Sequence, residues 1–190
     1  MKRFIFIVLA GILISSCSNS NQTPSSSSSS PADIADQNQL VIENDLEYAS
    51  AMIPSWINEV TVIKMDKIKA HSGEYASKID QTNLYSYAFG EKFENIFEKL
   101  PKRVIVNGWY YMPEQNEKAG IVMDINENGE TKIWKSYNFF SDNPTINQWN
   151  EYTAYFSIDQ PIKPNYHIKI YAYSGKKDIY LDDFKITFEY

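Results

Sequence analysis

Six segments in the back half of the chain alternate apolar and polar residues with a period of two. They are "RVIVNGWYYM" (103–112), "GIVMDI" (120–125), "TKIWKSYNFF" (131–140), "EYTAYFSI" (151–158), "HIKIYAY" (167–173) and "DIYLDDFKITF" (178–188). Successive side chains of a strand point to opposite faces, so this period predicts strands with one face buried. Asn128-Gly129 stands between the second and third segments. That pair suits the two positive φ angles of a type I′ turn, so a tight hairpin is expected there. Ser174-Gly175 marks another turn between the last two. Short strands separated by frequent turns build a β-sandwich or jelly roll.

Composition agrees, with 14 Tyr, 10 Phe and 4 Trp among many Val, Ile and Thr residues. One stretch reads differently. In "EKFENIFEKL" (91–100), Phe93, Ile96, Phe97 and Leu100 recur at helical spacing before Pro101. The expectation is therefore an all-β fold with one short helical segment.

The N-terminus sets the context. "MKRFIFIVLAGILISSC" is a short basic start, an apolar run and small residues ending at Cys17, the one cysteine of the chain. This is the pattern of a secretory signal, and its apolar run falls short of the roughly 20 residues of a membrane-spanning helix. Ile14-Ser15-Ser16-Cys17 resembles the bacterial lipobox, in which cleavage precedes a cysteine that then carries a diacylglycerol. Residues 1–16 are thus expected to be a leader, and Cys17 a lipid anchor in the cell envelope, with the outer membrane as its expected place. No acidic run follows the cysteine, which leaves the face of the membrane open. The segment 17–39 is Ser, Asn, Pro and Gln with little to bury, and is expected to be a disordered tether. A flexible chain of about 22 residues reaches roughly 25 Å.

Residues 40–190 remain for one domain. Losing the leader takes away Lys2 and Arg3 and no acid, so the mature chain is more acidic than the net charge of −6 for the whole. That argues against nucleic acid or anionic lipid headgroups, which need clustered Lys and Arg. With one cysteine, no internal disulfide is available.

Three elements of the domain carry a resemblance. "AHSGEYASKID" (70–80) is similar to the "HSG-x-Y-x-x-x-hydrophobic" stretch of CenC-type carbohydrate-binding modules, jelly rolls of the wider galactose-binding-like group. "IENDLEY" (42–48), followed by Trp56, resembles that group's Asn-Gly-Asp-Phe-Glu opening, and "IYLDDFKI" (179–186) resembles its closing strand. The chain departs from the pattern at Ser77, where the family has a buried leucine. It departs again at 44–47, which lacks the glycine and has Leu46 for Phe. The resemblance implies that the first and last strands lie side by side, with the 71–74 turn against their ends. It also implies a structural calcium ion, held by Glu47, by carbonyls of the turn from Ser72 to Glu74, and by Asp182 or Asp183. Calcium accepts such mixed oxygen sets. His71 and His167 read as turn and strand residues, since isolated histidines are poor evidence of a transition-metal site.

For function, the resemblance implies non-catalytic binding of a polysaccharide or oligosaccharide. Aromatic faces would stack on sugar rings, and amides and charges would take the hydroxyls. Trp109 and Tyr111 share a strand face with Asn107, and Tyr171 and Tyr173 share one with Lys169. Tyr85 and Tyr87, and Trp134 and Tyr137, are further pairs. Aromatics in sandwich strands are often core. Ile168, Ile170 and Ala172 form the evident core side of their strand, which turns Tyr171 and Tyr173 outward. In 103–112, Val104, Val106 and Tyr110 compete with Ile105, Trp109 and Tyr111 for the core. The expected site is Tyr171 and Tyr173 with Trp109 or Tyr111 opposite.

No nucleophile elbow, metal-binding histidine motif or phosphate-binding glycine loop is present. Jelly-roll glycosidases use a Glu-x-Asp-x-x-Glu strand. The nearest stretch, "VMDINENGE", lacks its first glutamate. A non-enzyme is expected, either a glycan-binding lipoprotein or an assembly subunit that meets an envelope protein on the same fold.

Overall fold

The computed structural model describes residues 38–49, 53–96 and 98–190. The leader, Cys17 and nearly all of the tether lie outside the described residues. The strands are β1 (Gln39–Asn44), β2 (Trp56–Ile57), β3 (Val62–Lys64), β4 (Tyr75–Ile79), β5 (Ala88–Lys92), β6 (Arg103–Tyr111), β7 (Gly120–Glu127), β8 (Glu130–Asn138), β9 (Trp149–Ser157), β10 (His167–Tyr173) and β11 (Ile179–Glu189). One helical turn, α1 (Phe93–Ile96), follows β5.

The strands form two antiparallel sheets. The first runs β3-β4-β11-β6-β9, with β1 also paired to β11; the second runs β2-β5-β10-β7-β8. Their inner faces meet in one core. Val104, Val106, Tyr110, Phe184 and Ile186 enter it from the first sheet, and Phe89, Ile121, Met123, Ile168 and Ile170 from the second. Phe89 meets Phe188 across the layers at 6.0 Å between ring centroids, and Trp56 meets Phe184 at 5.9 Å. Each such side chain, fully buried, stabilises by about 1.5–3 kcal/mol. This is the jelly-roll β-sandwich expected from the alternation, with one short helical segment. Within β6 the contest resolves in favour of Val104, Val106 and Tyr110.

The hairpin forms as expected. Asn128 and Gly129 take φ of 52° and 86° and join β7 to β8. The helical segment expected within 91–100 is a single turn. Glu91 and Lys92 pair instead with Ile168 and His167 of β10, so helix begins only at Phe93 and the described turn ends at Ile96. Sheet pairing outweighs a weak local helical period.

Two bulges reset the faces that neighbouring side chains occupy. Between β7 and β8 the register moves from Ile125↔Ile133 to Asn126↔Thr131, which leaves Lys132 as the extra residue. Between β11 and β6 it moves from Asp182↔Trp109 to Lys185↔Asn107. The extra residue lies at Asp183–Phe184, where Asp183 has φ of 51°. Here β11 changes partner along one edge, from β4 at residues 179–181 to β1 at residues 184–189.

Candidate glycan-binding face

Ile168, Ile170 and Ala172 are buried, so Lys169, Tyr171 and Tyr173 point out of the second sheet. Register then aligns their neighbours. Lys169 faces Asp124, which faces Trp134; Tyr171 faces Val122, which faces Ser136; Tyr173 faces Gly120, which faces Asn138. The Lys132 bulge decides the position of Trp134. A hairpin closed by Asn128-Gly129 without it would pair Trp134 with core-facing Met123, because one residue of slip exchanges the faces of a strand. With the bulge, Trp134 is 57% exposed.

Tyr85 completes the wall. It makes an isolated bridge to Tyr173, and its ring lies 5.3 Å from that of Tyr171 and 5.9 Å from that of Tyr173. Asn58 holds this segment in place by donating from Nδ2 to the carbonyls of Tyr85 at 2.6 Å and Ser86 at 3.1 Å. Two adjoining hollows result, of about 270 and 370 Å³, and Tyr85 and Tyr171 line both. The first runs over Gly120 toward Lys118 and Trp134; the second runs toward Ile57, Lys169 and Asp124. Gly120 has a steric reason to be glycine, since a Cβ there would overlap the Tyr137 carbonyl on β8. Burial raises the Tyr171 hydroxyl above its ordinary pKa.

Trp109 and Tyr111 are elsewhere. They project from the outer face of the first sheet, so the expected pairing across a cleft with Tyr171 and Tyr173 does not occur: the two sets are on opposite sides of the sandwich. Trp109 is covered by His71, stacked at 3.8 Å and 12°. Trp149 meets His71 edge-on, and its Nε1 donates to the Lys69 carbonyl at 2.9 Å. Tyr111 contacts Trp149 and Tyr180 edge-on. These rings fasten the 66–74 loop over the first sheet. Tyr87, another sequence candidate, is buried against Trp56.

The acids expected to hold calcium do converge on this loop. Asp182 is fully buried; its Oδ2 accepts the backbone N–H of His71 at 2.9 Å and of Ser72 at 3.1 Å, and its Oδ1 accepts the N–H of Asp183. Asp183 accepts from the Ser72 hydroxyl and meets His71 Nδ1, each at 2.6 Å. Glu47 Oε1 accepts the N–H groups of Glu74 and Tyr75. A side chain at Gly73, with φ of +52°, would overlap the Glu47 carboxylate. Burial, despite those N–H donors, pushes the Asp182 carboxyl up to about 7.

Calcium needs about 6–8 oxygen ligands. Here the loop turns N–H groups toward Glu47 and Asp182, and the Glu74 carboxylate is drawn to Lys64 at 2.7 Å. Among the described residues no group of three or more His, Cys, Asp or Glu side chains is placed to hold a metal ion. As arranged, Glu47, Ser72, Glu74, Asp182 and Asp183 make a hydrogen-bonded clasp that does not fit the ion.

No family model matches the chain, and no curated protein matches it. Solved structures do. The CBM22-2 xylan-binding domain of Xyn10C from Paenibacillus barcinonensis superposes with a TM-score of 0.51 at 14% identity, covering 77% of this chain and 98% of that domain. The CBM22-1 xylan-binding domain of the same protein gives 0.47 at 14% identity, over 78% and 93% of the two chains. TmCBM61, solved with β-1,4-galactotriose, gives 0.36 at 13% identity, over 79% and 88%. The first of these shows that the chain has the jelly-roll fold of carbohydrate-binding modules.

Proposed function

We propose that this chain is a non-catalytic glycan-binding protein whose site is the outer face of the β2-β5-β10-β7-β8 sheet. The observation that carries the reading is the groove itself. Tyr85, Tyr171, Tyr173 and Trp134 stand around a floor that includes Gly120, and two adjoining hollows follow the sheet surface. Flat rings around a floor of small residues suit the C–H faces of sugar rings. The xylan-binding neighbours and the galactotriose-bound one are consistent with a polysaccharide or oligosaccharide ligand. Each stacked ring contributes on the order of 1 kcal/mol beyond its burial. Two or three such contacts, less the cost of ordering a sugar chain, suit affinities of roughly 10 μM to 1 mM.

Catalysis is a poorer reading of the same face. Glycoside hydrolysis uses a pair of carboxyl groups flanking the bond, and among the residues lining the two hollows only Asp124 carries one. The envelope anchor is part of the proposal too, and its support is the sequence around Cys17.

The test is retention on immobilised polysaccharides, followed by calorimetry on the one that retains the protein best. The double variant Tyr171→Ala, Tyr173→Ala should lose binding and melt like the wild type. Trp109→Ala should melt earlier and still bind. If the tyrosine variant binds as well as the wild type, the face is wrong. If no glycan binds but the same tyrosines are needed to capture an envelope protein, the assembly-subunit reading replaces this one.

A further inference from the structure

The groove differs in charge from the rest of the molecule. The whole chain has 24 acidic against 18 basic residues. The groove reverses this balance, with Lys118 and Lys169 against Asp124. Elsewhere the lysines are commonly paired: Lys78 with Asp178, Lys135 with Asp159, Lys177 with Glu114 and Lys185 with Glu43. Neither Lys118 nor Lys169 has a carboxylate partner among the described residues. Lys169 stands directly across from Asp124 in the register, yet the Asp124 carboxylate accepts from the Thr131 hydroxyl at 3.1 Å instead. The stem of Lys169 lies over Gly90, on the β5 side. Lys169 and Tyr171 both line the second hollow.

We propose that the groove takes an anionic glycan, whose carboxylate or sulfate groups meet Lys118 and Lys169 while its rings lie on Tyr85, Tyr171 and Tyr173. This rests on the reading that the groove binds glycan, and narrows the class. Lys169 is half-buried in the groove and Lys118 is exposed at its rim, and neither is neutralised by a carboxylate of the protein. A ligand that brings the anion supplies what the fold withholds. Spacing sharpens the inference. Lys169 and Tyr173 are four residues apart on one strand, roughly 13 Å at about 3.3 Å per residue. Lys118 lies beyond Tyr173, at the Gly120 end. The two lysines rise from backbone positions farther apart than one sugar spans, which suits a ligand with acid groups on separate units of a chain.

The experiment uses paired probes: glucuronoxylan and polygalacturonate with their carboxyl-reduced forms, and a sulfated galactan with its desulfated form. Binding to each is measured by calorimetry at low and high salt. The expected result is that at least one charged form binds tenfold or more tighter than its neutral partner, with the gap closing at high salt. The pair that shows the gap tells carboxylate from sulfate. Lys118→Gln and Lys169→Gln should each weaken the charged form about fivefold and so narrow its advantage over the neutral partner. Lys135→Gln, outside the groove, should change nothing. Equal binding of charged and neutral forms overturns the anionic assignment and leaves glycan binding standing. Binding of none of the six overturns both.

Discussion

Ser77 offers a sharp test of how the interior is satisfied. The residue is fully buried. The Thr61 hydroxyl donates to the Asn58 carbonyl at 2.9 Å, so its proton is spoken for. The contact of 2.9 Å between Thr61 Oγ1 and Ser77 Oγ therefore has Ser77 as donor. Ser77 Oγ in turn accepts the Tyr87 backbone N–H at 2.9 Å. The chain Tyr87 N–H to Ser77 to Thr61 to the Asn58 carbonyl is complete, and it ties β4 to the segment that carries Tyr85. Ser77→Ala strands the Tyr87 N–H in the interior, which costs about 1–3 kcal/mol. Thr61 keeps its own acceptor, so little else is lost. We expect about 2 kcal/mol by urea unfolding, or a fall of roughly 4–8 °C in Tm for a chain of this size. Thr61→Val should cost less, because the Asn58 carbonyl still receives the Thr61 N–H at 3.1 Å. The double mutant should show a coupling of about 1 kcal/mol. If Ser77→Ala unfolds within about 0.5 kcal/mol of the wild type, the range of an ordinary surface substitution, the reasoning fails.

Other outcomes follow from the same structure. With the N–H clasp in place around Glu47 and Asp182, melting curves in calcium and in chelator should coincide; a rise in calcium that disappears in Glu47→Gln would show that the loop re-forms around an ion. Gly73→Ala should lower Tm clearly, from positive φ and overlap with Glu47 together, and an unchanged Tm would refute that packing. Two groups should give opposite slopes of stability with pH. Asp182, raised by burial from 3.8 to about 7, stays protonated longer in the folded state, so its contribution is lost as pH rises across that range, and Asp182→Asn should remove the loss. His167, lowered by burial and then by Lys169, resists protonation when folded, so stability falls as pH drops below 6.5, and His167→Gln should flatten that limb. A Cys17→Ser chain should leave the membrane fraction; if it stays there as abundantly as the wild type, the anchor reading is wrong.

Where the alternation was one-sided, the sequence was a reliable guide. In β10 the apolar set was Ile168, Ile170 and Ala172, and Tyr171 and Tyr173 do face outward. In β6 both faces carry large apolar side chains. The outer one is covered by the 66–74 loop, which local pattern cannot anticipate. Trp134 was hidden for another reason, because its face depends on the one-residue bulge at Lys132, which period-two counting passes over. Tyr85 lies outside any periodic segment and reaches the groove through one bridge and the Asn58 tie. The short helix starts two residues into its amphipathic pattern, because 91–100 overlaps the end of β5 and pairing with β10 claims Glu91 and Lys92.

The two ends of the described domain are stitched together. β1 pairs with β11 from Gln39↔Glu189 to Asn44↔Phe184, and the Tyr190 N–H donates to the Asn38 carbonyl. A pull that enters through the chain before Asn38, while the far face grips a substrate, runs lengthwise along this ladder. Its hydrogen bonds are then strained together in shear, and cannot be peeled open one after another. Resistance to forced unfolding is set by an unfolding rate, and in this geometry that rate belongs to β1 and β11. If the proposed anchor and glycan site both hold, this strand pair carries the load between them, and the breaking load in a single-molecule pulling experiment should fall when β1 is shortened, even though no residue of the groove has been touched.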